Sequence, residues 1–259
     1  MDTTTKKVAW ITGGGSGIGR ALALRLVHEG WTVAVSGRRL EALEETVRLA
    51  EEKAHAYPLD VTDLDAMRKT AAHIESELGP LQLAVFNAGI GEFMKLEELH
   101  AKIFAKHMQV NYLGVINGID AVLPAFRKRQ AGHIVIMASV AGYRGVPRAA
   151  AYGPTKAALI NLAESLRFEL EREGICISVC NPGFVATPMT EGNRSPMPFL
   201  MSVEDAAETL YRGILKQKFE IAFPWRFVML LKLFHCLPYA LYFPVVRKFT
   251  GMKRSHRHD

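Results

Sequence analysis

The stretch KVAWITGGGSGIGRALALRL, residues 7–26, changes character twice in a short distance. Residues 7–11 form a brief apolar run of the kind that makes a buried strand. Gly13, Gly17 and Gly19 follow, and from residue 17 to 29 the pattern becomes that of an amphipathic helix. A glycine loop between a strand and a helix suits a pyrophosphate. Missing side chains let the backbone approach, and the helix N-terminus offers free N–H groups with a partial positive charge. A tight turn needing positive φ is the plainer reading of such a cluster. Its place after the first strand of an alternating chain favours the pyrophosphate.

Working outward, strand and helix patterns alternate. Further strands are predicted at 32–36, 54–59, 81–86, 132–137, 176–180 and 219–223. Helical stretches are predicted at 40–53, 63–78 and about 203–217, among others. This order predicts an α/β fold: a doubly wound, mostly parallel seven-stranded sheet with helices on both faces, Rossmann-like. No repeat or long linker divides the chain, so residues 1–259 are expected to form a single dinucleotide-binding domain, with 222–259 as an apolar, basic C-terminal extension. In such sheets the ligand lies beyond the carboxyl ends of the strands.

The second strand end bears on which dinucleotide binds. Where NAD-binding folds usually carry an acid for the ribose 2′-hydroxyl, this chain has Gly37 followed by Arg38 and Arg39. A guanidinium binds a 2′-phosphate well, so NADP(H) is favoured over NAD(H). The competing possibility is that both arginines are simply solvated ahead of the next helix.

Bulk properties narrow the remaining classes. The chain has 259 residues, is 49% hydrophobic and carries a formal net charge of +6. From Ile221 onward seven basic residues face Asp259 alone, so the body is balanced and the excess lies in the tail. That argues against nucleic acid as a partner. Cys176, Cys180 and Cys236 are too few for a disulfide framework, and the first two lie ~13 Å apart on one strand face. A reducing, cytoplasmic compartment is expected, with no secretory signal at the N-terminus. No ligand spacing calls for a metal.

The motifs taken together resemble the short-chain dehydrogenase/reductase family over roughly residues 6–222. The glycine motif is Thr12-Gly13-x-x-x-Gly17-Ile18-Gly19, and the pair near the adenine is Asp60-Val61. Asn87-Ala88-Gly89 follows the fourth strand, Asn111 lies in VNYLG, and Ser139 follows the fifth strand. Tyr152 and Lys156 form the Tyr-x-x-x-Lys pair, and Pro182-Gly183 follows the sixth strand, with Val185 and Thr187 beyond it. One departure stands out: many NADP-preferring members have a basic residue before the second glycine, where this chain has Ser16. Any NADP preference then rests on Arg38, with Arg39 beside it.

The resemblance implies an oxidoreductase acting on a carbonyl/alcohol pair through Asn111, Ser139, Tyr152 and Lys156. Tyr152 is the implied general acid/base, Ser139 the group that hydrogen-bonds the substrate oxygen, and Lys156 the residue that holds the nicotinamide ribose. Asn111 is implied to fix a water that links Lys156 to solvent. Tyr152 and Lys156 are one helical turn apart, and an ammonium beside a phenol is expected to lower the tyrosine pKa. A bound oxidised nicotinamide adds to that effect. Thr187 is implied to contact the carboxamide. The alternative class is a catalytically silent dinucleotide sensor or scaffold on the same fold, which the presence of Ser139, Tyr152 and Lys156 disfavours. Non-redox chemistry on this fold is disfavoured by the glycine loop, Asp60 and Arg38.

The resemblance implies a substrate pocket built from the segments after the fifth and sixth strands and near the C-terminus. Here these supply Tyr143, Phe184, Met189, Met197 and Phe199, which suit either a lipophilic small molecule or simply the closing of a lid. The tail, residues 223–249, has no uncharged run as long as a membrane span requires, its longest being residues 233–246. Two readings stay open for it: a lid with a homodimer contact, or shallow contact with a membrane surface.

Overall fold

The structure is a computed structural model, and it describes residues 6–91, 94–191 and 197–251. Seven parallel strands form one sheet: β1 (Val8–Thr12), β2 (Thr32–Gly37), β3 (Ala54–Pro58), β4 (Leu81–Phe86), β5 (Gly132–Met137), β6 (Ile175–Pro182) and β7 (Glu220–Phe223). Their order is β3-β2-β1-β4-β5-β6-β7. The chain winds outward from β1 to β3, then crosses back to lay β4 against the other side of β1. That reversal makes β1/β4 the switch point, where the carboxyl ends of strands leave a crevice.

Side chains alternate along each strand, so each one contributes to two cores. On one face Trp10, Phe86, Ile134, Ile136 and Ile177 meet Met67 and Ile74 of α3 (Leu64–Leu78), Val122 and Phe126 of α5 (Gly114–Arg129), and Leu159 of α6 (Tyr152–Arg172). On the other, Ile11, Val33, Val35, Val85 and Val135 meet α1 (Gly17–His28), α2 (Leu40–Leu49) and α7 (Val203–Leu215) through Leu22, Leu26, Leu43 and Leu210. Trp10 is fully buried because its indole N–H donates to Ser36 Oγ at 2.9 Å, and its ring meets Phe86 edge-on. Between α4 (Ala101–His107) and α5 the helix widens into a π-helical segment, Met108–Leu113. After β7 come α8 (Trp225–His235) and α9 (Tyr239–Thr250).

The seven-stranded, doubly wound sheet agrees with expectation, and the differences lie at element ends. β1 runs over Val8–Thr12 rather than 7–11, and β7 begins at Glu220 rather than 219. β6 runs over Ile175–Pro182 rather than 176–180, because Ile175 pairs with Gly132 while Asn181 and Pro182 pair with Ala222 and Phe223. The apolar pattern stops at Cys180, but the ladder does not. α2 ends at Leu49 rather than 53, since Glu51 and Glu52 turn left-handed at φ 50° and 59°. α1 and α7 stop slightly short of 29 and 217, and β3 ends at Pro58. α3 begins after Asp63, whose carboxylate accepts from the Ala66 N–H at 2.9 Å as an N-cap.

Helix α5 approaches the sheet closely at Gly118, where a Cβ would come within 2.3 Å of the Phe86 ring. Gly118→Val is therefore expected to destabilise the protein by about 2–3 kcal/mol through overpacking. Gly145→Ala, at a position with nothing within 4 Å, is expected to stay near wild type. Thermal and urea unfolding of the two variants side by side checks this, and equal stability would contradict the packing described.

Candidate active site

The glycine loop is shaped by its neighbours. Gly13 has φ +69°, and a Cβ there would lie 2.8 Å from Asn87 Nδ2 and 2.9 Å from Ala88 Cα. Asn87 fills that space by donating to the carbonyls of Thr12 and Gly13, both at 3.1 Å. Thr12 Oγ1 in return accepts the N–H groups of Asn87 and Ala88. Ser16 is the N-cap of α1, yet its hydroxyl makes no capping bond, so the first turn of the helix presents free donors to the cleft. Gly17, at φ +52°, faces Thr187 across the cleft, with a Cβ reaching 3.2 Å from Thr187 Cγ2. Ile18 and Gly19 complete the turn. A cradle closed to side chains and open at a helix N-terminus fits a dinucleotide pyrophosphate.

Two residues outside the expected set hold this loop. Arg20 donates to the carbonyls of Gly15 (2.6 Å) and Ala42 (3.1 Å) and to Thr46 Oγ1, while Thr46 Oγ1 donates to the Gly14 carbonyl. A lone arginine and threonine far apart in sequence carry no motif that marks them as a pair.

Arg38 and Arg39 stand exposed at the cleft rim beyond β2. Asp60 and Val61 line the same end of the cleft. The Asp60 carboxyl is held below its usual range chiefly by the Thr62 N–H; burial opposes this, and the Thr62 hydroxyl and the Arg38 charge add to the lowering. Asn87, Ala88 and Gly89 form the floor after β4, and Pro182, Gly183, Val185 and Thr187 the wall after β6. Thr190 fixes the Thr187 turn, accepting the Thr187 N–H at 3.0 Å and donating to the Val185 carbonyl.

At the carboxyl end of β5 the cluster Ser139, Tyr152, Lys156 and Asn111 comes together. Ser139 sits in extended backbone, its Oγ accepting the Ala141 N–H at 3.1 Å and contacting the Pro182 carbonyl at 3.3 Å. Residues 140–151 loop back so that Gly142 lies against the backbone of Lys156 and Ala157, where a Cβ would clash at 2.7–2.8 Å. Tyr152 opens α6, and Lys156, one turn on, lies 5.5 Å from the Tyr152 ring centroid. The Lys156 ammonium is buried and donates to the Met137 carbonyl at 2.7 Å.

One expectation needs correction here. The lysine does not lower the tyrosine pKa in the protein alone: burial pushes Tyr152 up to about 12, and Ser139 opposes this only in part. Burial pushes Lys156 down to about 8. Desolvation is the largest influence on both groups. The Asn111 side chain is also already engaged. Its amide donates to the Ile90 carbonyl and Thr155 Oγ1 and accepts the Ile90 N–H at 2.8 Å. Both amide N–H groups are thereby used, while Oδ1 keeps a second lone pair.

Beyond this cluster the cleft continues as an apolar arm, the whole enclosing about 1600 Å³. Phe184, Met189, Met197 and Phe199 line it, with Met189 and the Tyr152 ring both bordering Gly91. Tyr143 lines the arm too, and its hydroxyl is committed to a partner within the protein. It donates to Glu220 Oε1 at 2.6 Å, beside Asn181 Nδ2 at 3.0 Å, and Lys232 pairs with the other carboxylate oxygen. The tail also belongs to the arm: Phe227, Leu231 and Phe234 of α8 and Tyr242 of α9 contribute to its wall. Arg144 fastens it there, donating to the carbonyls of Phe234, His235 and Leu237 and lying 3.8 Å over the Tyr242 ring. The Tyr242 hydroxyl donates to the Gly145 carbonyl at 2.6 Å.

Comparison with known proteins gives one consistent answer. The family model described as short chain dehydrogenase matches residues 7–198. An uncharacterised oxidoreductase of Myxococcus xanthus is 36% identical over 251 residues, covering 96% of this chain and 99% of its own. Another, from Staphylococcus epidermidis, is 34% identical over 195 residues, covering 74% of this chain and 84% of its own. Among solved structures, ElxO with NADP bound has a TM-score of 0.77 at 28% identity, over 84% of this chain and 98% of that one. A short chain dehydrogenase/reductase from Burkholderia phymatum in complex with NAD has a TM-score of 0.82 at 26% identity, over 91% and 95%. The glycine cradle, the parallel sheet and these matches agree: the chain belongs to the short-chain dehydrogenase/reductase family of nicotinamide-dependent oxidoreductases.

Proposed function

We propose that the protein is an NADP(H)-dependent oxidoreductase of a lipophilic carbonyl/alcohol pair, with Tyr152 as general acid/base. The observation that carries this reading is the convergence of Ser139, Tyr152 and Lys156 at the point where the pyrophosphate cradle meets an apolar arm. Arg38 at the rim, with Arg39 beside it, supports a 2′-phosphate as the group recognised there. When bound, the reduced cofactor supplies a hydride.

The chain's own residues do the rest. Ser139 Oγ donates to the substrate oxygen and stabilises the charge that builds on it. Tyr152 delivers its phenolic proton to that oxygen in reduction and takes it back in oxidation. Lys156 holds the ribose hydroxyls and, when charged, steadies the phenolate that Tyr152 leaves behind. A phenol pushed up by burial keeps its proton until substrate arrives, and the Ser139 hydroxyl bond opposes that rise in part. Asn111 positions this machinery by clamping Ile90 and Thr155, the latter bonded to the Tyr152 carbonyl at 2.7 Å. Thr187 closes over the cradle opposite Gly17.

The proposal includes a reducing, cytoplasmic setting, supported by the free thiols of Cys176, Cys180 and Cys236. It includes self-association as a homodimer, supported by Phe168 on α6, which is 72% exposed, and by exposed Met108 and Leu113 of the π-helical segment.

Tyr152→Phe is expected to lower turnover of aldehydes with NADPH by at least about a hundredfold. Its NADPH Kd should stay within a few-fold of wild type, and near wild-type turnover would refute the role of the phenol. Arg38→Ala is expected to cut kcat/KM with NADPH about tenfold to a hundredfold relative to NADH; an unchanged ratio would remove the 2′-phosphate assignment. Lys156 supplies a pH test. Its pKa near 8 means the ammonium is present below that value and neutralises above it. NADPH Kd, followed by nicotinamide fluorescence, should therefore be flat at lower pH and rise as pH passes about 8. Lys156→Met should lack the inflection, and a flat wild-type profile would contradict the assignment.

A further inference from the structure

Helices α8 and α9 have two unlike faces. Phe227, Leu231 and Phe234 of α8 and Tyr242 and Val246 of α9 turn inward and wall the cleft. On the outside, Trp225, Met229 and Leu233 recur every fourth residue of α8 and are 67%, 60% and 62% exposed. In α9 the rings of Tyr239 and Phe243 stack at 5.7 Å, both largely exposed. Large apolar side chains gathered this way mark a surface that meets something.

Charge indicates what that something is. The two helices carry Arg226, Lys232, Arg247 and Lys248 and not one Asp or Glu. Lys232 is taken up by Glu220, while Arg226, Arg247 and Lys248 stand exposed among the apolar residues. A second copy meeting this face about a twofold axis would set basic against basic with no acid between them. An anionic lipid surface takes both components: rings and aliphatic chains enter the acyl boundary, and arginine and lysine meet the headgroups. Among the described residues no helix is long and apolar enough to cross a membrane, so contact is along the surface.

The surface is continuous with the cleft. Phe249 lines the apolar arm and is also 70% exposed, its ring 5.6 Å from that of Phe234. We propose that the outward-facing apolar and basic side chains of α8 and α9 dock on an anionic bilayer, setting the mouth of the apolar arm at the lipid surface. The route it gives a lipophilic substrate rests on the oxidoreductase reading above; the docking itself does not.

The test is co-sedimentation of the full chain with phosphatidylglycerol/phosphatidylcholine vesicles and with phosphatidylcholine vesicles alone. Wild-type protein should pellet with the anionic vesicles at low salt. Partitioning should fall about tenfold on neutral vesicles or at high salt. Trp225→Glu combined with Met229→Glu should abolish pelleting, and Arg247→Glu combined with Lys248→Glu should weaken it about tenfold or more. Both double variants should keep wild-type circular dichroism and wild-type turnover of a short, water-soluble aldehyde. Wild-type protein left in the supernatant, or variants that pellet like wild type, would overturn the proposal. So would light scattering showing that Trp225→Glu/Met229→Glu turns a dimer into a monomer, which would assign the face to a second copy. Pelleting needs neither cofactor nor turnover, so its failure leaves the oxidoreductase reading intact, and loss of that reading leaves vesicle binding intact.

Discussion

Four hydrogen bonds between Thr12–Gly13 and Asn87–Ala88 close the one place where the winding of the sheet reverses. A parallel sheet wound both ways from its middle must leave a crevice there. The Thr12 hydroxyl and the Asn87 amide prevent that crevice from splitting the strands. They also fix the shape of the glycine loop, since Gly13 can sit against Asn87 only without a side chain. Arg20 and Thr46 tie the loop to α2 from the other side. The cradle is thus preorganised by bonds made within the fold.

The second constraint is desolvation at the end of β5. A lysine buried against the Met137 carbonyl and a phenol pushed to about 12 are poised in opposite senses. Both charged forms are disfavoured until a charge or hydrogen-bond partner enters the cleft. The loop that carries Ser139 is held to the tail at Arg144, through the carbonyls of Phe234, His235 and Leu237, and at Gly145, through Tyr242, while Tyr143 bonds Glu220 of β7, which pairs with Lys232 of the tail. The tail is therefore a wall of the site, and whatever its outer face meets is mechanically connected to the loop that carries Ser139.

Much of this was legible in the sequence because it is local. Strand, glycine loop and helix follow one another in residues 7–26, so period suffices there, and Tyr152 and Lys156 are one turn apart on one helix, although their roles are implied by the resemblance of the motifs taken together rather than by spacing. What escaped depends on partners distant in the chain. Asn181 reads as the end of an apolar run, yet β7 extends the ladder through it. Tyr143 reads as a pocket residue and lines the cleft, but nothing local shows that its hydroxyl bonds Glu220, 77 positions away. Arg144, between a tyrosine and a glycine, gives no hint of carbonyls more than 90 residues on. The direction of the tyrosine shift in the protein without cofactor is not legible for a different reason: spacing reports proximity of charge, whereas burial, which dominates there, is a property of the assembled fold.

The central claim is that this cleft moves a hydride between a nicotinamide and a carbonyl carbon beside Tyr152. The most direct measurement is turnover of a medium-chain aldehyde with NADPH carrying deuterium on both C4 positions, analysed by mass spectrometry of the alcohol. The account predicts one deuterium on the carbinol carbon and a slower rate than with unlabelled NADPH. An alcohol formed without deuterium, or no alcohol with any aldehyde or ketone across a range of chain lengths, would contradict it.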